Sequence, residues 1–435
     1  MKLCLRGPVA WALMTSAVAA LFWVWSSPDF TVSRKTQVNF WTGFTGPDGE
    51  RMVELIREFH RQNPDVEVSL QRIDWGVYYN KLFVAGLGGR SPEVFVLHAG
   101  MMPRFASAGL MAEMDSLLDE SGRAAVEDLV PVIRPKLQWE GHQVAWPLDV
   151  HMLGLYCNLD LFRKAGWVDA SGNPRIPRNR QEFLEAGAAL RKLSQPGREI
   201  WGFGIADPNL IALTSCYQHG GRLMGSDLLT PVLDSPENVA GLDFLRELVG
   251  KYHMAPAPES NDAWIGFRQG NIGMVMAGIW MLAEVRGDRA FDFDVQPLPQ
   301  LGSQAASFGS THLMGLAPGL SESSRQAGWR LIQFLSSHSL EWAKIGQLPA
   351  RQSLLISPEF RSMLPQANLA SEIPHLVFTP GIPSLWEVQD EFYRAAEKVL
   401  RGTEPASVAL RLAQQQSEAV LERDRNRESL AQGNR

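Results

Sequence analysis

Cysteine is nearly absent: Cys4, Cys157 and Cys216 are the only three in 435 residues. That is too few for a disulfide framework. Cys157 and Cys216 read as buried free thiols, with a bridge between them left open in an oxidising compartment. No Cys-x-x-Cys or His-x-x-x-His spacing occurs, so the linear pattern points to no metal site and no cofactor. An excess of basic charge is missing too. The chain carries 41 Lys and Arg against 47 Asp and Glu, a formal net charge of -6 with both signs spread along its length. That leaves no electrostatic footprint for nucleic acid. No Walker A sequence is present, so the chain does not itself power a nucleotide-driven step. Internal repeats and low-complexity tracts are also absent. Tyrosine is scarce, with six residues against fourteen tryptophans. Buried indole N–H groups need partners, so such a surplus tends to line cores, interfaces or flat-ligand sites.

Long apolar runs are missing after the first 30 residues, so no later segment is expected to span a membrane. The start differs. Lys2 and Arg6 precede "VAWALMTSAVAALFWVW" (Val9–Trp25), which carries no charge. A basic lead followed by an apolar stretch is the form of an export signal. "AVAA" (Ala17–Ala20) offers a small-x-small cleavage site, yet "LFWVW" continues the run to near spanning length. Residues 1–30 are therefore expected to be a signal peptide or an N-terminal membrane anchor. The rest of the chain is then periplasmic, or on the extracellular face of the cytoplasmic membrane.

A length of 435 residues implies more than one domain. "TQVNFWTGF" (Thr36–Phe44) reads as a first strand. In the following segment Met52, Leu55, Ile56 and Phe59 share one helical face, and Asn63-Pro64 stops the helix. "VEVSLQRI" alternates as a second strand, and "PEVFVLH" (Pro92–His98) is apolar enough to be covered on both faces. Strand, helix, strand, helix, strand makes a parallel α/β unit. Ligands in such sheets gather at the carboxyl ends of the strands, here Trp41-Thr42, Asp74-Trp75 and His98. Further on, Asn179 with Glu182 forms a capping box, and Ser235-Pro236 opens another helix. In "FRQGNIGMVMAGIW" (Phe267–Trp280), Gly270 ends a helix, Ile272–Met276 is a buried strand, and Gly278 is expected to make a tight turn. From about Ser407 the chain reads as a helix with a charged tail.

Eight segments in order resemble one family, the extracellular solute-binding proteins of bacterial ABC importers. The likeness is to the type 1, sugar-type group related to maltose-binding proteins. The segments are "FWTGFTGPDGERMVELIREFHRQNPDVEV", "YYNKLFVAGLGGRSPEVFVLH", "FASAGLMAEMDSLL", "WPLDVHMLGLYCNLDLFRKAGW", "FRQGNIGMVMAGIW", "STHLMGLAPG", "IQFLSSHSLEWAKIGQLPARQS" and "IPSLWEVQDEFYRAAEKVLRG". In "LYCNLDLF", Cys157 and Leu159 replace an aromatic and a charged residue of the family's string. The resemblance implies an α/β, two-lobed periplasmic-binding-protein type II fold with three hinge crossovers. Lobe one would be residues 37–149 plus 312–350, and lobe two 150–311 plus 351–435. The expected crossings are Val150–His151, Ser310–His312 and Leu348–Ser353. It further implies a monomer that is not an enzyme, binds a carbohydrate and docks on the transmembrane subunits of an ABC permease.

A sugar needs aromatic rings for its C–H faces and polar groups for its hydroxyl rim. The candidate binding residues are Trp41, Thr42, Asp74, Trp75, His98, Asp149, His151, Trp264, Trp280, Ser310, His312, Arg351 and Trp386. Trp280 and Trp386 are included because the family stacks aromatics on sugar at such positions. Trp139, Trp167, Trp201, Trp329 and Trp342 read as packing residues. A membrane-tethered sensor partner would differ from the importer component only in what the lobes touch, and two further readings remain. One keeps the fold and changes the guest to a glycerol phosphodiester or another anion, paired by His98, His312 and Arg351. The other is a glycoside hydrolase using Asp74 and Asp149, although nothing in their spacing favours it.

Overall fold

The computed structural model describes residues 35–257, 262–288 and 290–433; the apolar segment within 1–30 lies outside them. The strands are β1 Thr36–Thr42, β2 Val66–Arg72, β3 Val94–His98, β4 Gln138–Trp139, β5 His142–Gln143, β6 Trp146–Pro147 and β7 Asp149–Asn158. They continue with β8 Trp201–Ile205, β9 Ile272–Gly278, β10 Phe293–Gln296, β11 Ser307–Ser310, β12 His312–Leu316, β13 Leu348–Pro349 and β14 Leu376–Phe378. The helices used below are α1 Pro47–Gln62, α2 Trp75–Leu87, α3 Pro208–Gln218, α4 Pro236–Gly250, α5 Ala263–Arg268, α6 Glu322–Ser337, α7 Ser339–Ala343, α8 Leu385–Leu400 and α9 Ala406–Gly433.

Two sheets organise the chain. The first has the order β2-β1-β3-β12-β6, and the second β14-β11-β7-β9-β8, with β10 and β13 also paired to β7. β1 runs parallel to β2 and to β3, as the alternation of strands and helices predicts. β12 returns antiparallel to β3, with His312 opposite His98. This is the mixed α/β, two-sheet architecture expected from the sequence.

The first sheet is covered by amphipathic helices. Met52, Leu55, Ile56 and Phe59 of α1 are buried, and Phe59 meets Phe334 of α6 edge-on at 5.4 Å. Pro47 opens α1; Asp48 and Glu50 stand in its first turn, His60 and Arg61 in its last. The two carboxylates and the Arg61 guanidinium thus each sit at the helix end that favours their charge. In the second sheet β7 is buried along all ten residues, and β9 along all seven. Strands covered on both faces lose the polar–apolar alternation. α3, α4, α8 and α9 pack into this second core through residues such as Leu213, Leu242, Phe392 and Leu410.

The chain passes between the sheets at three places. Leu148 links β6 to β7, Thr311 links β11 to β12, and β13 pairs with Val150 and Asp149 at the start of β7. Thr311 and β13 lie within the expected crossings Ser310–His312 and Leu348–Ser353, whereas the first passage, at Leu148, comes two residues before the expected Val150–His151. Beyond β13, Arg351 bridges Leu129, and the Gln352 N–H donates to the Asp128 carbonyl. Cys157 and Cys216 are both free and buried, so the bridge left open by the sequence is not made. Burial pushes both thiols above their ordinary pKa range. Among the described residues no helix is long and apolar enough to cross a membrane.

Candidate functional site

The three passages converge on Asp149, the first residue of β7. It is fully buried, and four donors surround its carboxylate. His312 Nδ1 lies 2.7 Å from Oδ2, and the His312 backbone N–H donates to Oδ1 at 3.1 Å. His151 Nδ1 is 3.1 Å from Oδ1, and the Trp342 indole N–H donates to Oδ2 at 2.7 Å. A buried carboxylate is tolerable only with this kind of partnering. Burial alone would raise its pKa; His312 and His151 outweigh that and hold the group below the usual carboxylate range. Asp149 is therefore committed to the protein. The sequence reading put it toward a ligand hydroxyl, whereas the structure makes it the knot that ties β7, β12 and α7.

An ionised carboxylate only accepts, so His151 and His312 each donate through Nδ1. His98, at the end of β3, reaches the same place. Its Nδ1 meets the Tyr79 hydroxyl of α2, and its backbone N–H donates to that hydroxyl at 3.3 Å. The three imidazole rings lie 4.3 Å (His151–His312), 4.7 Å (His98–His312) and 5.4 Å (His98–His151) apart. Burial pushes His98 well below the ordinary histidine pKa, with His312 and His151 adding to it. Burial and His312 likewise push His151 down to about 4, against the pull of Asp149. Both are thus neutral near pH 7.

Two tryptophans flank the histidines, one from each sheet. Trp75 opens α2 and lies against His98 at 4.5 Å and, nearly parallel, against His312 at 5.9 Å. Trp280 follows β9 and meets His151 edge-on at 5.6 Å. Each indole is seated on a glycine. A Cβ at Gly43 would come within 2.0 Å of the Trp75 ring, and one at Gly278 within 2.1 Å of the Trp280 ring. Gly278 has φ -62, which any residue adopts. Its role is the space under the indole, not the tight turn expected from the sequence. Gly270, at φ +72 directly after α5, does take the left-handed conformation that ends a helix.

The other candidates spread around this centre. Trp386, at the start of α8, is 43% exposed, and its ring lies 5.9 Å from Tyr79. With Trp75, Tyr79, Asn80 and Arg104 it lines an open pocket. Trp41 is half-buried at the end of β1; its carbonyl accepts from Tyr78, and Lys81 lies over its ring at 5.3 Å. Thr42 is wholly buried, and its hydroxyl has no hydrogen-bond partner among the described residues. Ser310 ends β11, paired with His151. Asp74 caps α2 by accepting from the Gly76 N–H at 2.9 Å. Arg351 sits past β13, beside Leu129. Trp264 lies elsewhere, inside α5, between Tyr156 and Phe267, with its N–H donated to Glu284 at 2.9 Å. Asp74 and Asp149, the pair required by the hydrolase reading, are a helix cap and a saturated buried carboxylate.

Sequence reasoning missed Tyr79, Trp342 and Arg104. Tyr79 stands one helical turn after Trp75, so a shared face was readable. Trp342 was assigned to packing, and it does pack, against Phe44 at 4.8 Å. Its bond to Asp149 joins residues far apart in the chain and has no local signature.

The profile of the bacterial extracellular solute-binding proteins matches residues 44–339. The chain belongs to that family. Its similarity extends to the maltotriose-binding protein of Pyrococcus abyssi, 24% identical over 379 residues, covering 84% of this chain and 78% of that protein. The sn-glycerol-3-phosphate-binding periplasmic protein UgpB of Escherichia coli O1:K1 is 24% identical over 422 residues, covering 89% and 93%. Among solved structures, the substrate-binding protein Lmo0181 of Listeria monocytogenes in complex with cycloalternan superposes with a TM-score of 0.78. It is 24% identical over 89% of this chain and 99% of that one. Membership of this family agrees with the fold and type of protein expected from the eight segments.

Proposed function

We propose that this chain is the extracytoplasmic binding component of an ABC importer. In this reading it closes two lobes on a mono- or oligosaccharide and hands it to a membrane permease. Lobe one would comprise 37–149 plus 312–350, and lobe two 150–311 plus 351–435, hinged at the three passages around Asp149. The protein would act as a monomer outside the cytoplasmic membrane, with residues 1–30 as its export signal or anchor. The observation that carries the reading is the pair of glycine-seated indoles, Trp75 at the start of α2 and Trp280 just after β9, that lie against the histidines. Rings held at fixed positions suit the apolar C–H faces of a saccharide guest, and Asn80 and Arg104 in the pocket beside Trp75 suit its hydroxyl rim. Relatives that bind maltotriose and arabinooligosaccharide support the same class.

Titration of intrinsic tryptophan fluorescence with a panel of mono-, di- and oligosaccharides tests the proposal. A saturating change for at least one saccharide is expected. Trp280→Ala is expected to weaken that binding by roughly 1–3 kcal/mol with the fold retained. A lower melting temperature with unchanged affinity would return Trp280 to a packing role. A second reading, an anionic glycerol phosphate ester, is favoured by the UgpB relative and by Arg104 in the pocket beside Trp75 and Trp386. Thermal stabilisation by glycerophosphates and not by any saccharide would select it.

A further inference from the structure

His98, His151 and His312 come from three separate strands, and each offers a ring nitrogen within 4.8 Å of the other two. The hydrogen bonds decide which nitrogen of each ring stays free to bind an ion. In His151 and His312 the Nδ1–H is spent on Asp149, so Nε2 is the ring nitrogen left to offer a lone pair. In His98 the Tyr79 hydroxyl occupies Nδ1, which again leaves Nε2. None of the three Nε2 atoms makes a hydrogen bond among the described residues. We propose that these three Nε2 atoms bind one divalent transition-metal ion of the zinc type.

The chemistry of the donor set fits. Three imidazoles with an open fourth position form a known zinc arrangement, with Zn–N near 2.0–2.1 Å. A tetrahedral site needs its nitrogens about 3.4 Å apart, and the rings of this cluster already offer nitrogens within 4.8 Å of one another. The second shell is already built. Metal-bound histidines commonly donate their other ring N–H to a carboxylate or another acceptor, which fixes tautomer and ring orientation. Asp149 does this for two ligands, and the Tyr79 oxygen is placed to do it for the third. Asp149 is itself braced by Trp342 and the His312 backbone. His98 and His312 stand on the first sheet and His151 on the second. A bound ion therefore ties the two sheets together beside the hinge passages, with Trp75 and Trp280 against its ligands. Histidine spacing along the sequence could not show this, because the cluster exists only once β3, β7 and β12 are in place.

The test uses the full-length chain stripped of metal by a chelator and titrated with Co²⁺ and, separately, Zn²⁺. One Co²⁺ per chain, with the visible absorption of a low-coordinate nitrogen site, is expected. So is a melting temperature that climbs with Zn²⁺ concentration. His98→Ala, at the least buried of the three ligands, should remain folded by circular dichroism and lose the Co²⁺ band. Tyr79→Phe keeps all three ligands but releases the His98 ring, and should weaken binding about 10–100-fold. His142→Ala, in the exposed group Glu113, Asp115 and His142, should leave the band unchanged. Three results overturn the proposal: no Co²⁺ band in the folded parent chain, a band that survives His98→Ala and Tyr79→Phe intact, or a band lost in His142→Ala. None of these readouts requires a saccharide.

Discussion

Asp149 shows how much one residue type can conceal in a sequence. Read locally, it is an acid before a strand, and a ligand hydroxyl is a reasonable partner. In the structure four donors use up both of its oxygens, and burial makes each of them matter. Trp342 is the most informative of the four because its indole has no other polar partner to lose. Trp342→Phe keeps an aromatic ring beside Phe44 but leaves a buried carboxylate oxygen one donor short. A buried acceptor deprived of its partner costs about 1–3 kcal/mol. The denaturant midpoint of Trp342→Phe should fall accordingly at unchanged slope. A midpoint equal to that of the parent chain would mean that water replaces the indole N–H, and that Asp149 is less tightly enclosed than its contacts imply. The same residue-by-residue logic separates the tryptophans. Trp75 and Trp280 lie over glycines beside the histidines, whereas Trp264 spends its N–H on Glu284 inside α5.

At the scale of elements, local periodicity carried the reading as far as contacts are local. β1, α1, β2, α2 and β3 were legible because helix and strand periods are written in neighbouring residues, and parallel pairing follows from their alternation. Asn179 capping through the Glu182 N–H at 3.0 Å is another short-range feature that sequence could carry. The pairing of β12 with β3, and of β13 with β7, joins segments hundreds of residues apart and leaves no periodic trace. So the strand ends were found and His98, His151 and His312 were all placed among the site residues, while their close packing beside Asp149 was not foreseen. The well-read part also makes a clear prediction. Phe59 of α1 is fully buried and meets Phe334 of α6 across the outer face of the first sheet. Phe59→Ala should destabilise the protein by about 3–5 kcal/mol, since the rigid sheet beneath cannot collapse into the cavity. A loss below about 1 kcal/mol in chemical unfolding would show that α1 re-seats freely and is not anchored by that face.

For the molecule as a whole, the proposed closure needs contacts that span the two sheets but are weak enough to break. Two such contacts are present. Arg104, after β3, pairs with Glu387 of α8 at 3.1 Å, and α8 belongs to the second core. Lys136 donates to the Thr379 carbonyl at 3.3 Å. Both partners of the ion pair are partly exposed, so solvent screens it and its worth is about 0–1 kcal/mol. That is the right size for a latch: it shifts a closing equilibrium without locking it. Arg104→Gln should therefore weaken binding of the preferred solute by no more than about fivefold, a loss that high salt reproduces in the parent chain. Arg104 also lines the pocket beside Trp386, so direct contact with the solute competes as an explanation. Glu387→Gln removes the same ion pair while leaving the arginine in place. Equal losses in the two variants, with small-angle scattering showing a more open unliganded chain, assign the effect to closure. A loss confined to Arg104→Gln assigns it to solute contact and removes the latch from the mechanism.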